Sequence, residues 1–146
     1  MKEAARIVGS FSHQTLTIQT GVDIHKYAHL VEYRELGGAM SSMWASYIAQ
    51  ADRVLLVLDS SSPARIGEGL GLLLTIMAQA SITTPVGLVA NKRDLEAAVP
   101  VWQLACLLGQ QVLERVTTFD TCALSGDGLP AIKNWVCPPS SCGEGL

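Results

Sequence analysis

The chain has 146 residues, of which 49% are hydrophobic and 16% are charged, and its formal net charge is -3. This length and composition predict one folded domain and exclude a wholly disordered chain. The acidic balance, without a cluster of Lys and Arg, excludes a nucleic-acid-binding protein, because such proteins neutralise phosphates with grouped basic residues. No apolar run reaches the roughly 20 residues that a transmembrane helix needs.

The N-terminal third is predicted to begin with an irregular segment over 1–14. Two short extended segments follow, 15–24 and 27–34, whose Thr, Ile, Val and Tyr residues suit an antiparallel pair. Apolar residues at helical spacing then predict a short helix over 41–51.

The rest of the chain alternates buried strands with helices. Continuous apolar runs too short for helices predict strands over 53–59, 85–90 and 116–122. Helical patterns lie between and after them, over 64–80, 97–113 and 129–136. This alternation predicts an α/β fold with an open, mostly parallel sheet, in which ligands bind beyond the carboxyl ends of the strands.

A polar motif, Asn91-Lys92-Arg93-Asp94, follows the second buried strand. A carboxylate accepts hydrogen bonds only, so one Asp can accept both the N1 and N2 protons of guanine, a donor pair that adenine lacks. Asn can brace the loop and contact N7, while the aliphatic stem of Lys can lie against the flat base. Alone, a motif of four residues favours a polar turn after a strand over a guanine site.

A second motif, Cys122-Ala-Leu-Ser-Gly-Asp-Gly-Leu129, follows the next strand along the chain. A backbone N–H near Ala123 can donate to the guanine O6, which requires a small side chain at that position. Because both loops leave carboxyl ends of parallel strands, they reach the same site. Together the two motifs predict recognition of guanine.

Three more motifs precede these loops: Glu35-Leu-Gly-Gly38, then Trp44 and Tyr47, then Leu55-Leu-Val-Leu-Asp59-Ser60. In this order the five motifs resemble the ARF-like branch of the Ras-type small GTPases, which typically reads W-D-x-G-G-Q, Trp and Tyr, Asp-Ser, N-K-x-D and S/C-A-x-S-G-x-G. The resemblance covers Thr17 to Val136. It implies the Ras-type α/β fold, a mostly parallel sheet flanked by helices.

The resemblance also implies roles for individual residues at the base. The guanine-specificity loop would consist of Asn91, Lys92 and Asp94. The second base loop would consist of Cys122, Ala123 and Leu124.

At the phosphate end, the resemblance aligns Gly38 with the glycine whose amide contacts the γ-phosphate. Glu35 replaces the family's Asp, and its longer side chain can still reach Mg²⁺ through water. The segment 18–23 aligns with switch I, which usually supplies a Thr to Mg²⁺. Thr20 is the candidate metal ligand, although an ungapped alignment places Gln19 there instead.

Two departures from the family affect the expected chemistry. The phosphate-binding loop G-x-x-x-x-G-K-[ST] is absent, although it supplies the backbone N–H groups and the Lys that hold the phosphates. The Gln that orients the attacking water in most relatives is Ala39, so negligible intrinsic hydrolysis is expected and no catalytic residue is assigned.

The missing phosphate loop defines the expected domain organisation. We expect an ARF-like GTPase domain over 15–137 that lacks the family's first strand and phosphate loop, as in a truncated or alternatively spliced product. An irregular segment over 1–14 would precede it, and a disordered tail over 138–146, rich in Pro, Gly and Ser, would follow. Loss of a central first strand would leave its neighbours with unpaired edges.

Two functions remain open from the sequence. The first is a cytoplasmic GTP-binding protein that acts as a nucleotide-dependent switch, with GTP/GDP and Mg²⁺ as cofactors and effector or regulatory proteins as partners. The alternative is a pseudo-GTPase or fragment that serves as a protein-interaction module without useful nucleotide binding. The complete base loops favour the first function, and the missing phosphate loop favours the second.

A histidine metal site is not favoured. His25 and His29 are four residues apart, a spacing that aligns two ligands on a helix but not in the extended structure predicted here. The four cysteines match no usual zinc-binding pattern.

Overall fold

The computed structural model describes residues 4–10, 22–27, 31–37 and 42–138. Several positions with sequence-based predictions lie outside these ranges, namely Gln19, Thr20, Gly38, Ala39 and 139–146. Among the described residues, no helix combines the length and the hydropathy that crossing a bilayer requires.

The described residues form a six-stranded sheet with the order β2-β3-β1-β4-β5-β6. Its strands are β1 (Ala4–Ser10), β2 (Val22–Tyr27), β3 (Val31–Leu36), β4 (Arg53–Asp59), β5 (Val86–Asn91) and β6 (Val116–Asp120). Only β2 runs antiparallel, against β3, and the other neighbours pair in parallel. The predicted mostly parallel α/β sheet is therefore confirmed. An antiparallel pair near its start is confirmed too, although Tyr27, predicted to begin the second strand, ends β2.

The first strand departs from the sequence-based expectation. β1 lies between β3 and β4, with Gly9 opposite Leu36 on one side and Leu56 on the other. The predictions of an irregular segment over 1–14 and of a missing first strand are therefore wrong for residues 4–10. Residues 4–10 contain only Ile7 and Val8 as strong strand formers, so the local sequence gives a weak strand signal. The segment forms a strand because it pairs with β3 and β4, which are distant in the chain.

Five helices flank the sheet in the described residues: α1 (Trp44–Ile48), α2 (Pro63–Gln79), α3 (Val101–Ala105), α4 (Gln110–Leu113) and α5 (Leu129–Val136). The bounds of β4 and α5 match the predicted 53–59 and 129–136. The prediction of one helix over 97–113 is wrong, because Gly109 has an extended backbone (φ -66, ψ 152) that separates α3 from α4.

The two faces of the sheet carry hydrophobic clusters of different size. The larger cluster packs α1, α2 and α3 against the sheet, with Leu56, Leu58 and Leu88 fully buried at its centre. On the opposite face, α5 packs Val136 against Leu55 and Val89. Burial on both faces explains why the central strands read as continuous apolar runs.

The carboxyl ends of three neighbouring strands meet at one edge of the sheet. In the parallel register Asp59 lies opposite Asn91, and Ala90 lies opposite Asp120. The segments that leave β4, β5 and β6 therefore begin side by side. This edge is where an open parallel sheet binds its ligands.

Candidate functional site

Asn91, the last residue of β5, connects all three segments at this edge. Its Oδ1 accepts hydrogen bonds from the Thr121 hydroxyl and from the Ala123 backbone N–H, each at 3.1 Å. Its backbone carbonyl accepts two more, from the backbone N–H of Ser60 at 3.1 Å and from the Ser60 hydroxyl at 2.6 Å. The loops after β4, β5 and β6 are thereby held together by one residue.

Lys92 is anchored by an ion pair with Asp59, at the end of β4. The Lys92 Nζ lies 2.7 Å from the Asp59 Oδ2, and the Asp59 side chain is 4% exposed. Ser61 donates to the other carboxylate oxygen from its backbone N–H at 3.0 Å and from its hydroxyl at 2.6 Å. Burial alone raises the pKa of Asp59, but the bonds from Lys92 and Ser61 outweigh it, so the pKa lies below its ordinary value.

Arg93 fastens the same loop to the end of β6. Its Nε lies 3.2 Å from the Asp120 Oδ1, and its Nη1 donates to the Ala98 carbonyl at 2.6 Å. The Arg93 backbone N–H donates to the Thr121 carbonyl at 3.1 Å. Asp120 also accepts a hydrogen bond from the Val101 backbone N–H at 2.8 Å, where α3 begins. Arg93 therefore braces the loop from the side opposite to Lys92.

Asp94 presents a carboxylate at the surface. Asp94 is exposed to solvent, and its Oδ1 accepts a hydrogen bond from the Cys122 thiol at 3.2 Å. Cys122 itself is buried, so its thiol orients the carboxylate from the protein side and leaves the solvent side of Asp94 open. Because a carboxylate has about four acceptor sites, Asp94 can still accept a pair of donors from a ligand.

The loop after β6 is shaped mainly by its backbone. The Cys122 N–H donates to the Asp127 carbonyl at 3.0 Å, and the Gly126 N–H donates to the Cys122 carbonyl at 2.9 Å. Gly126 and Gly128 have φ values of 87 and 76, a region that favours glycine. This turn leaves Ala123 and Leu124 exposed at its tip.

Gly128 has a second constraint besides its φ. A Cβ atom at this position would overlap the Asp120 carbonyl oxygen and press on the Thr121 methyl group. The turn therefore returns closely over the end of β6 before α5 begins at Leu129.

A cavity of about 390 Å³ opens beside the two loops. Of the six residues predicted to bind the base, Asp94 and Cys122 line it, but Asn91, Lys92, Ala123 and Leu124 do not. Its lining residues are Arg93, Asp94, Asp120, Thr121, Cys122, Ser125 and Asp127.

Six residues that the sequence assigned to the base lie together at this edge: Asn91, Lys92, Asp94, Cys122, Ala123 and Leu124. One predicted detail changes, because the Ala123 N–H that was expected to donate to guanine O6 donates to Asn91. An entering base would have to share or displace that bond. The sequence placed Asp59 and Ser60 in a motif but gave them no role at this edge, and it did not single out Thr121, although each directly ends or follows a strand here.

The residues predicted for phosphate and metal are not part of this cluster. Glu35 lies in β3, which β1 and β4 separate from β5 in the sheet. Thr20 and Gly38 lie outside the described residues, although the neighbouring Gly37 carbonyl accepts a hydrogen bond from the Trp44 indole at 3.2 Å. Within the described part of the chain, no group of three or more acidic, His or Cys residues is placed to hold a metal ion.

Comparison with known proteins agrees with this fold. Residues 10–139 match the family described as the ADP-ribosylation factor family. The chain belongs to this family. It is 30% identical over 132 residues to ADP-ribosylation factor-like protein 5 of Caenorhabditis elegans, which covers 82% of this chain and 74% of that protein.

Two other relatives share a smaller part of their length with this chain. It is 34% identical over 129 residues to ADP-ribosylation factor-like protein 6 of Caenorhabditis briggsae, covering 84% of this chain and 62% of that protein. The match with human ADP-ribosylation factor-like protein 16, which the form Arg34-Glu35-Leu36-Gly37-Gly38 resembles, is 26% over 112 residues and covers 73% and 57%. The chain thus spans less than two thirds of two of these three relatives.

The solved structure of the Arl6 BBS3 small GTPase from Trypanosoma brucei, with bound nucleotide analogue GppNp, superposes on this fold. Its TM-score is 0.75, and the match covers 97% of this chain and 99% of that chain. At 19% identity this likeness shows the fold alone. The predicted Ras-type fold of an ARF-like GTPase is therefore confirmed.

Proposed function

We propose that this member of the family is a guanine-nucleotide-binding protein that recognises the base through the loops after β5 and β6. Asn91, Lys92 and Asp94 would form the specificity loop, and Cys122, Ala123 and Leu124 would form the second loop. One observation supports this more than any other. The two loops are joined through the Asn91 side chain, while the Asp94 carboxylate is exposed beside them.

The chemistry of the donor set suits guanine. The Asp94 carboxylate can accept the N1 and N2 protons, and its Oδ1 is already oriented by the Cys122 thiol. Adenine presents no such pair of protons, so it would leave this carboxylate unsatisfied, which is costly in a site closed by a ligand. The stem of Lys92 and the exposed Leu124 side chain offer apolar surface to the flat faces of a base.

The proposal extends to a nucleotide-dependent switch, with GTP and GDP as ligands and effector or regulatory proteins as partners in the cytoplasm. Roles for Gly38, Glu35 and Thr20 at the phosphates and Mg²⁺ follow from the family resemblance. Ala39 stands at the position of the water-orienting Gln. We therefore expect negligible intrinsic hydrolysis.

A second function is favoured by a specific feature of the sequence. The 146 residues contain no G-x-x-x-x-G-K-[ST] loop to hold a triphosphate. A pseudo-GTPase that uses the fold as a protein-interaction module would not need that loop. The two functions differ in one measurable property, the dependence of affinity on phosphates and metal.

Calorimetric titration of the purified chain with GTP, GDP and GMP, with and without Mg²⁺, separates the two functions. The switch requires tight GTP binding that depends on Mg²⁺. Weak binding that is equal for all three nucleotides and independent of Mg²⁺ would reject the switch and support base recognition without phosphate capture. No binding of any guanine nucleotide would overturn the proposed ligand itself.

The assignment of Asp94 has its own test, the substitution Asp94→Asn in a chain that binds guanine nucleotide. Loss of the carboxylate removes a charge-assisted pair of hydrogen bonds, so affinity for GDP should fall about a hundredfold. Affinity for xanthosine diphosphate should rise, because the Asn amide can donate to the xanthine O2. Glu96→Gln, an equal charge change at a neighbouring exposed residue, is the matched control and should alter neither affinity. An unchanged base preference in Asp94→Asn would reject the assignment.

A further inference from the structure

The strongest unassigned feature of the site is the buried carboxylate of Asp59. We propose that Asp59 is a positioning residue that acts through Lys92 and holds the loop 91–94 in the shape that presents Asp94 to the base. The role in base recognition rests on the proposed function. The effect on loop shape can be measured without any ligand.

Burial makes the partner of Asp59 essential. Its side chain is 4% exposed, and a carboxylate removed from water is stable only if it is paired and hydrogen-bonded. Ser61 supplies both donors to Oδ1, so the Lys92 ammonium is the cationic partner that the structure gives to Oδ2. Any loop shape that moves the ammonium away would leave half of this carboxylate unsatisfied.

The ion pair holds the backbone of Lys92 in an unusual conformation. Among the described residues, Lys92 is the one non-glycine residue with a positive φ, which is 67. A side chain with a Cβ atom adopts this left-handed conformation at a cost, and it persists only where the surroundings determine it. The ion pair with Asp59, 33 positions earlier in the chain, is a contact that can hold Lys92 in this conformation.

The strand register makes the contact specific to this edge. Asp59 lies directly opposite Asn91 in the parallel β4–β5 pair, one residue before Lys92. The next residue of that segment, Ser60, donates twice to the Asn91 carbonyl. The end of β4 therefore holds the Asn91–Lys92 peptide by its carbonyl and the Lys92 side chain by its ammonium. Both bonds orient the chain just before Asp94.

The test compares Asp59→Asn with the wild-type chain by backbone amide hydrogen exchange without ligand. Asn keeps the size of the side chain and an acceptor for Ser61 but loses the charge that holds Lys92. We expect the Arg93 and Ala123 amides, which bond across the two loops, to exchange about tenfold faster, and the Leu88 amide in the centre of β5 to be unchanged. Equal exchange at Arg93 and Ala123 in both proteins would overturn the proposal.

Two further variants separate positioning from a general loss of stability. Asp52→Asn makes the same charge change at an exposed residue just before β4, and it should leave all of these amides unchanged. Lys92→Met removes the other partner, and the double variant with Asp59→Asn should open the loop no further than Lys92→Met alone. Additive effects in the double variant, or faster exchange throughout the sheet, would mean that Asp59 acts on the fold and not through Lys92.

The pH profile gives a readout that a packing role would not produce. Because the pKa of Asp59 lies below its ordinary value, the carboxylate stays charged until the pH falls below the usual titration range of Asp. The amide chemical shift of Lys92 should move there in the wild-type chain, and comparison with Asp59→Asn separates this change from effects of Asp94 and Asp120, whose carboxylates lie beside the same loop. A transition of equal size in both proteins would contradict the ion pair as its cause.

Titration with GDP and ADP then connects the loop to recognition. In Asp59→Asn the preference for GDP over ADP should fall about tenfold, whereas Asp52→Asn should keep it. If the wild-type chain binds neither nucleotide, the proposed function fails, and the exchange experiment still decides whether Asp59 positions the loop. Opening of the loop with an unchanged base preference would reject the role of Asp59 in recognition.

Discussion

The loops that follow β5 and β6 are neighbours in space but are stabilised in different ways. The loop 91–94 has no glycine, and its shape depends on charged side chains, with Lys92 paired to Asp59 and Arg93 paired to Asp120. The loop 122–128 has two glycines with positive φ and is closed by backbone hydrogen bonds. The conformation of the loop 91–94 therefore depends on partners that are distant in the chain. The conformation of the loop 122–128 depends mainly on its own glycines and backbone hydrogen bonds.

This difference explains how substitutions should act on each loop. A loop held by ion pairs, such as 91–94, loses its conformation when either charged partner is removed, even if that partner is distant in the sequence. A glycine-shaped turn fails when a Cβ atom is added within the turn itself. Asn91 joins the two loops, so its substitution should affect both.

The largest effect is expected from Gly128→Ala in the second loop. The new Cβ would occupy a left-handed backbone position and overlap the Asp120 carbonyl oxygen, so we expect a loss of about 3 kcal/mol in the free energy of unfolding. Gly126→Ala is the matched control, because its φ is also positive but nothing lies within 4 Å of the added Cβ. It should cost only the backbone strain, about 1 kcal/mol.

Urea unfolding of the two glycine variants measures this contrast. If Gly126→Ala and Gly128→Ala lost the same stability, backbone strain alone would explain both variants. The close return of the loop over Asp120 would then contribute nothing.

A smaller effect, shared between the loops, is expected from Asn91→Ala. It removes the acceptor of the Thr121 hydroxyl, and because Thr121 is 2% exposed, that hydroxyl would be left without its acceptor at a cost of about 2 kcal/mol. Adding Thr121→Val should recover part of the loss, since removal of both partners is milder than removal of one. Urea unfolding of the single and double variants measures the recovery.

Asn91→Ala also tests how the base would reach the second loop. The substitution releases the Ala123 N–H, which would no longer have to be shared with a guanine O6. No recovery of stability in the double variant would show that the Thr121 hydroxyl does not depend on Asn91. The hydrogen bond from the Ala123 N–H would then be the contact by which Asn91 joins the two loops.

The sequence predicted local elements and contiguous motifs better than it predicted contacts between distant segments. β4 and α5 could be assigned to the residue because an apolar run and a helical pattern are local signals, and Asn91 to Asp94 form a contiguous motif. β1 and the ion pair of Asp59 could not, since both depend on pairing between strands that are distant in the chain. Asp59 was visible as a strand-end residue, but only the β4–β5 register places it beside Lys92.

The smallest predicted effect concerns glycines that no turn requires. Gly71 lies in the interior of α2, is exposed, and has nothing within 4 Å of an added Cβ, so Gly71→Ala should raise the free energy of unfolding by about 0.5–1 kcal/mol. Gly69→Ala, two residues earlier, is the matched control with the opposite sign, because its Cβ would overlap the Leu58 side chain in the core. Urea unfolding of both variants provides the measurement. A loss of stability in Gly71→Ala would mean that this glycine, like those of the second loop, is required by its surroundings, and the contrast between helix and loop glycines would no longer hold.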